Sequence, residues 1–289
     1  MRVVAEKLNF YYNKKSKNRV RALSDITLTI PEGSFFGIIG HTGSGKSTFI
    51  QHLDALVPVQ EGKLVVGDYD LSKGKKTDKK KLKELRSKTG LVFQYPEYQL
   101  FAETVFQDVA FGYRNFNKNA TDEQVKAAVF GALSLVGLSA DMADRLPFEL
   151  SGGQKRRVAI AGVLVTEPEI LVLDEPVAGL DPAGKNELMK LLHSLHKTTV
   201  KTIVIVSHDM DEVCENCTDI AVFSEGKVVM TGKPKEIFSK YVEMKELRLD
   251  VPVTAKLTED LKLAGVEIDT DFTVDDFVSK VAALYKNAR

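Results

Sequence analysis

The chain has 289 residues, 44% hydrophobic and 28% charged, with 40 basic residues against 40 acidic ones. That length allows one large domain or two modest ones with a sizeable buried core, and that composition excludes a disordered chain. Zero net charge argues against a whole-protein electrostatic grip on nucleic acid, and two cysteines cannot build a disulfide framework, so a reducing, cytosolic compartment is expected.

Apolar stretches such as Val158 to Val165 are far shorter than the roughly 20 residues needed to cross a bilayer. The start, Met1-Arg2-Val3-Val4-Ala5-Glu6, meets a charge at once and lacks a signal-peptide apolar core. Work at a membrane would therefore need another chain to hold this one there. Ile26, Leu28 and Ile30 alternate with Thr27 and Thr29, a period-two strand, and Pro31-Glu32-Gly33 is a turn. The apolar run Phe35 to Ile39 stops at Gly40-His41-Thr42-Gly43-Ser44-Gly45-Lys46-Ser47, which fits the P-loop pattern in full. Its glycines let backbone N–H groups turn inward onto phosphate oxygens, and the helix that follows aims its positive end at the same anion. Lys46 is expected to reach the β- and γ-phosphates, and the Ser47 hydroxyl to ligate Mg2+. The spacing predicts that this helix runs from about Lys46 to Val57 and stops at Pro58.

Residues 73 to 88 carry nine Lys or Arg against Asp78 and Glu84. Such a run reads as a solvated face, with contact to anionic lipid or a membrane-side partner as the minority alternative. Leu91-Val92-Phe93 resumes the β pattern, and the stretch from Pro96 to Leu164 is mostly helical, with a helix start at Thr121-Asp122-Glu123-Gln124. Within it, Leu150-Ser151-Gly152-Gly153-Gln154 precedes an abrupt basic-to-apolar helix, Lys155-Arg156-Arg157-Val158-Ala159. Two glycines at a helix start make a second bare-backbone anion site. One nucleotide already has its phosphates wrapped by the P-loop, so a second such element suggests nucleotides shared between two chains. The buried strand Ile170 to Leu173 ends in Asp174-Glu175, at the ligand edge of an open α/β sheet. Asp174 suits a metal's water shell, and Glu175 a base or water-orienting group for attack on the γ-phosphate. A helix around Gly184 to His196 and a strand Thr202 to Val206 follow, and strands alternating with helices imply a parallel sheet. Cys214 and Cys217 lie one helical turn apart and read as core residues, not as a redox or metal pair. In the tail, Leu257, Leu261 and Ala264 form one helical stripe closed by Gly265. Thr273 with Asp276 resembles a capping box before a second stripe, Phe277, Val281 and Leu284.

The P-loop, the segment Leu150 to Gln154 and the acidic pair, in that order, resemble the ATP-binding-cassette (ABC) ATPases. The resemblance implies an α/β fold: a P-loop NTPase core with an antiparallel β subdomain, a helical subdomain near 96–165 and a small C-terminal helical extension. It would divide the chain into an ATPase domain, 1–246, and the extension, 247–289. It also implies the cofactors ATP and Mg2+, with Glu175, His208 and Gln94 as catalytic residues and Ser47, Gln94 and Asp174 as metal ligands. Nucleotide contacts would come from Gly40 to Ser47, from Thr48, from Ser151, Gly152, Gly153 and Gln154, and from Tyr12 stacking on adenine, with Tyr11 the second choice. Ala178-Gly179-Leu180-Asp181 is similar to the D-loop, keeping only Leu180 and Asp181 of the commoner Ser-Ala-Leu-Asp.

His41 in the P-loop, Ile50-Gln51-His52-Leu53, the run Gln94 to Phe101 and the tail after Leu249-Asp250-Val251-Pro252 most resemble the second ATPase of energy-coupling factor (ECF) transporters. An importer of vitamins or other micronutrients is then implied, with the chain peripheral on the cytoplasmic face of the membrane. Its partners would be a second ABC ATPase, in a hetero- or homodimer, an integral membrane coupling subunit that meets residues 95–101, and a substrate-binding membrane subunit, with no nucleic acid. The alternative is a soluble ABC ATPase of a cofactor-assembly or repair complex. Chromosome-type relatives are disfavoured because no long coiled coil separates the motifs, and a non-hydrolysing regulator because Glu175 and His208 are both present.

Overall fold

The computed structural model describes residues 1–287. Strands β1 (Val3–Tyr12), β2 (Val20–Ile30), β4 (Glu61–Val66) and β5 (Tyr69–Asp70) form an antiparallel sheet in the order β2-β1-β4-β5. Strands β3 (Phe35–Gly40), β6 (Thr89–Val92), β7 (Ile170–Asp174), β8 (Thr202–Val206), β9 (Asp219–Ser224) and β10 (Lys227–Gly232) form a second sheet, β10-β9-β3-β8-β7-β6. It is parallel except where β10 returns along β9.

The inner strands are apolar throughout because the sheet is covered on both faces. Side chains alternate across it: Phe35, Ile39, Leu171, Leu173, Ile203 and Ile205 enter a helix-side core, while Phe36, Ile38, Ile170, Val172, Val204 and Val206 enter the core shared with the antiparallel sheet.

The helix after the P-loop, α1 (Lys46–Leu53), is one turn shorter than its sequence predicts. Ala55 takes a left-handed φ of 50°, and the N–H groups of Leu56 and Val57 both turn back to the Gln51 carbonyl. Arg86 supplies the reason. Its guanidinium donates to the Asp54 and Ala55 carbonyl oxygens at 3.2 and 2.8 Å, so these groups need no further helical turn. Arg86 lies on α2 (Lys79–Lys88), capped by Asp78. Of that helix only Leu85 is fully buried, so the lysines of the basic run stand in solvent.

Helices α3 (Val105–Phe116), α4 (Asp122–Leu135) and α5 (Gly152–Leu164) build the helical region. The expected start at Thr121 is a full capping box with Gln124. Gly112 brings α3 close to α5: a Cβ there would lie 2.5 Å from the Gly162 carbonyl oxygen. Helix α6 (Pro182–Thr198) leads to β8, and α7 (Met210–Asn216) to β9.

The chain closes with α8 (Pro234–Phe238), α9 (Tyr241–Glu246), α10 (Val253–Leu263) and α11 (Val274–Asn287). Met244, Leu249, Val251, Ala255 and Phe272 join the helix-side core and seat this segment on the sheet domain. The apolar stripes expected here exist but are only partly covered: Leu261 and Phe277 are half-buried, while Leu257, Ala264, Val281 and Leu284 are exposed. The expected box at Thr273 is half formed. Thr273 accepts from the Asp276 N–H, but the Asp276 carboxylate accepts from Asp271. Among the described residues, no helix is long and apolar enough to cross a membrane.

Candidate nucleotide site

The P-loop joins β3 to α1 and needs glycine where it passes other backbone. At Gly40, with φ 148°, a Cβ would sit 2.2 Å from the Phe223 carbonyl oxygen of β9. Gly45, with φ 103°, lies close against β2, where a Cβ would sit 2.6 Å from the Ala22 carbonyl oxygen. The loop therefore packs onto both sheets and its shape is fixed. Lys46 folds back along it, donating to the Gly40 and His41 carbonyl oxygens at 2.7 and 2.9 Å. Burial lowers the Lys46 pKa, against the opposing pull of Glu175 and Asp174. The Ser44 hydroxyl is buried in the loop with no hydrogen-bond partner, so the loop holds a polar atom that a phosphate oxygen would satisfy.

Asp174 ends β7, as its sequence position implies. Burial raises its pKa, the Ser47 hydroxyl bond lowers it, Glu175 raises it and Lys46 lowers it. Glu175 turns the chain with a left-handed φ of 49°, pinned by its N–H to the Val206 carbonyl. Two partners converge on its Oε2: the Gln94 amide nitrogen at 2.9 Å and His208 Nδ1 at 3.3 Å. Tyr12 donates or accepts at Thr48 Oγ1, 3.1 Å away, and stands edge-on to Phe10. A cavity of about 520 Å³ is lined by Tyr12, Thr42, Gly43, Gly45, Lys46, Ser47, Thr48, Gln94, Asp174 and Glu175, among others. Tyr11 is not on its wall and lies instead within 6.0 Å of the cationic groups of Lys14, Arg19 and Arg21. His41 also turns away, its Nε2 bonded to the Leu247 carbonyl oxygen.

Ser151, Gly152, Gly153 and Gln154 do not line that cavity. They open α5 elsewhere, with Ser151 and Gln154 in a reciprocal capping box and both glycines exposed. Asp181 caps α6 through the Gly184 N–H at 2.9 Å.

Sequence reasoning missed three supports. Arg156, one turn into α5, forks onto Glu97 and reaches the carbonyls of Pro176 and Ala178. Glu212 on α7 is buried beside His208's loop, where its Oε2 accepts from the Ser207 hydroxyl while Oε1 has no partner. Burial pushes its pKa up to about 7. Lys185 pairs with Asp209 at 2.9 Å. Arg156 with Glu97 and Lys185 with Asp209 join residues far apart in sequence, and the Ser207–Glu212 bond, though local, follows no helix or strand pattern that announces it. Cys214 and Cys217 are buried as expected, and burial pushes the Cys214 thiol up to about 12.

A P-loop, a strand-end acid pair and a second glycine-opened helix facing outward define the ABC class of ATPases. Residues 23–178 match the ABC transporter family. A relative from Caldanaerobacter subterraneus subsp. tengcongensis, the "Energy-coupling factor transporter ATP-binding protein EcfA2", is 45% identical over 94% of this chain and 93% of its own length. The protein of the same name from Enterococcus faecalis is 47% identical over 91% of this chain and 90% of its own. Among solved structures, CbiO1 of Clostridium perfringens, part of the ABC transporter complex CbiONQ, has a TM-score of 0.72 at 37% identity, covering 89% of this chain and 98% of that one. A dimeric ATP-binding cassette in a post-hydrolysis state bound to ADP and Pi has a TM-score of 0.70 at 29% identity, over 80% and 98%. The chain belongs to the ATP-binding proteins of energy-coupling factor transporters, within the ABC transporter family.

Proposed function

We propose that this chain hydrolyses ATP with Mg2+ at the cavity around Lys46 and Glu175, as one of two head-to-tail ATPases that drive an ECF importer of vitamins or other micronutrients. The observation that carries this reading is the convergence of Gln94 and His208 on one oxygen of Glu175, beside the phosphate-ready loop. Lys46 and the loop N–H groups bind and orient the phosphates, and Tyr12 offers a ring to the adenine. Gln94 and His208 hold the Glu175 carboxylate, which takes a proton from the attacking water or orients it. Ser47, Asp174 and the Gln94 carbonyl offer hard oxygen donors that suit Mg2+, which usually takes one or two carboxylates plus phosphate oxygens. Bound there, the ion would neutralise charge on the phosphates.

The signature segment supports a paired state. A Cβ added at Gly152 or Gly153 meets nothing within 4 Å in this chain, so packing inside the subunit does not call for glycine. A partner's nucleotide, approached by bare backbone, does. The relatives' names favour a similar but distinct ATPase as that partner.

The membrane side is supported by aromatic exposure. Tyr98 is 84% exposed, Phe101 68% and Phe148 73%, and a cavity of about 480 Å³ lies between the segments 100–104 and 146–148. Phe101 is exposed on the surface of the helical region, edge-on to Phe111 of α3, and Tyr95 rests against Gly179. Exposed aromatic anchors around a groove suit short helices of an integral membrane subunit, which would hold this chain peripherally on the cytoplasmic face. Nothing in the structure favours a soluble assembly or repair complex. Tyr98→Cys tests the placement: both native thiols are buried, so one accessible thiol results. Cross-linking to a membrane protein is expected in solubilised membranes, and no cross-link at any stage of the ATP cycle would count against it.

A further inference from the structure

Arg156 is 5% exposed at its side chain and spends four N–H donors on two other segments, so that with its own helix three are joined. Its Nε and Nη2 grip the two oxygens of Glu97 at 3.1 and 2.9 Å, a bidentate fork. Nη1 donates to the Pro176 carbonyl at 2.9 Å, and Nη2 also to that of Ala178 at 3.1 Å. Glu97 lies in the short 3-10 turn Pro96–Gln99, entered through Tyr95 in a left-handed conformation. Burial pushes the Glu97 carboxyl up, but its bonds from Arg156, a backbone N–H bond and the guanidinium charge together outweigh this and hold it below its ordinary range.

The three segments have different tasks. Glu97 sits within the proposed membrane contact, Arg156 lies one turn from the signature Ser151–Gln154, and Pro176 follows Glu175 directly. Ala178 donates its N–H to the Glu175 carbonyl, so the turn 175–178 moves as one piece. Stretch 94–97 thus reaches Glu175 twice: at the carboxylate through Gln94, and at the backbone through Glu97 and Arg156. Next to it, Arg157 ties α5 to the Val136 carbonyl and to Glu187 of α6, so α5 cannot slide freely.

We propose that Arg156 is a positioning residue for ATP hydrolysis. With Glu97 it locks residues 95–101, the signature helix and the turn after Glu175 together, so that a load on 95–101 reaches both nucleotide half-sites in one movement. The inference rests on the reading that a membrane subunit docks on 95–101. A lysine could not replace Arg156, because an ammonium lacks the planar fork that serves a carboxylate and two carbonyls together.

The test uses the transporter assembled in vesicles with Glu97→Gln, Arg156→Lys and the double variant. A misplaced Glu175 slows chemistry without weakening phosphate binding, so kcat should fall on the order of tenfold while KM for ATP stays within about twofold. Transport per ATP should fall as well, and the double variant should be no worse than Arg156→Lys alone, since both break one unit. A kcat within about twofold of wild type in both single variants overturns the lock, as does a parallel loss of ATP affinity, thermal stability and kcat, which would mark a merely structural pair. If Glu97→Gln fails to assemble, Arg156→Lys is read against the same limits. The Tyr98→Cys cross-link is scored alongside. Its absence overturns the docking reading and the load path with it, whereas an intact cross-link with wild-type kcat overturns the lock alone.

Discussion

In the proposed site, Lys46 is the residue on which phosphate binding turns. Its ammonium is buried, bonded to two loop carbonyls and near both strand-end acids. Lys46→Ala removes the one full positive charge on the loop, and kcat/KM for ATP should drop on the order of a hundredfold or more. Wild-type phosphate release by that variant, within its transporter assembly, would refute the assignment. Glu212 offers a different kind of prediction. Burial raises its pKa from 4.5 to about 7, so between those values the unfolded chain ionises while the folded one keeps its proton. Stability is therefore full below pH 4.5, falls as pH rises toward 7, and stays lower above it, by roughly 3 kcal/mol at about 1.4 kcal/mol per pH unit. Glu212→Gln keeps an acceptor for Ser207 and cannot ionise. Part of the gain is lost because its N–H groups lie where Oε1 now has no partner, which leaves about 1–2 kcal/mol at pH 8 and no gain at pH 4.5. Denaturant unfolding at the two pH values checks this; an equal effect at both would show that ionisation is not the cause.

Helix α5 concentrates what could and could not be read from the chain. Its start was legible because Ser151 and Gln154 form a local capping box and two glycines are conspicuous beside it. The strands were legible because β3, β7 and β8 are buried on both faces and read as unbroken apolar runs. The end of α1 was not, since Arg86, more than thirty residues away, takes the carbonyls that another turn would have used. In the sequence Arg156 is only one residue of a basic-to-apolar helix start, and nothing local shows that Glu97 and two carbonyls surround it. The partly exposed stripes of α10 and α11 have the same source: periodicity shows that a helix has an apolar face, not how fully that face is covered. For α5 itself, Gly152→Asp should leave the thermal midpoint unchanged, because a Cβ there meets nothing within 4 Å and the glycine is exposed. The same change puts an anion where a partner's phosphates are read, so hydrolysis by the assembled pair should be lost. A large fall in the midpoint would instead mean that the glycine serves the fold.

At the scale of the whole molecule, the P-loop and the signature lie in different places on one chain, and under the proposed reading a complete site is made by two chains facing head to tail. ATP is the shared ligand that draws them together. Glu175→Gln keeps the shape of the carboxylate while removing its charge, so ATP should accumulate this variant in closed pairs. Sedimentation with and without ATP reads this directly, and a tight nucleotide-independent homodimer of the wild-type chain with full activity would sink the heteromeric reading. Strand β3 has a further consequence, one for the order of birth. It emerges from the ribosome early, yet its neighbours are β8 and β9, with Phe35 beside Ile203 and Gly40 beside Phe223. At 5–20 residues per second, those partners follow roughly 10–40 s later. The antiparallel sheet can close in the meantime, because its strands are near in sequence. The loop resting on Phe223 cannot, so a nascent chain has no ATP to lean on until residue 224 is out, and β3 must wait through that interval unpaired.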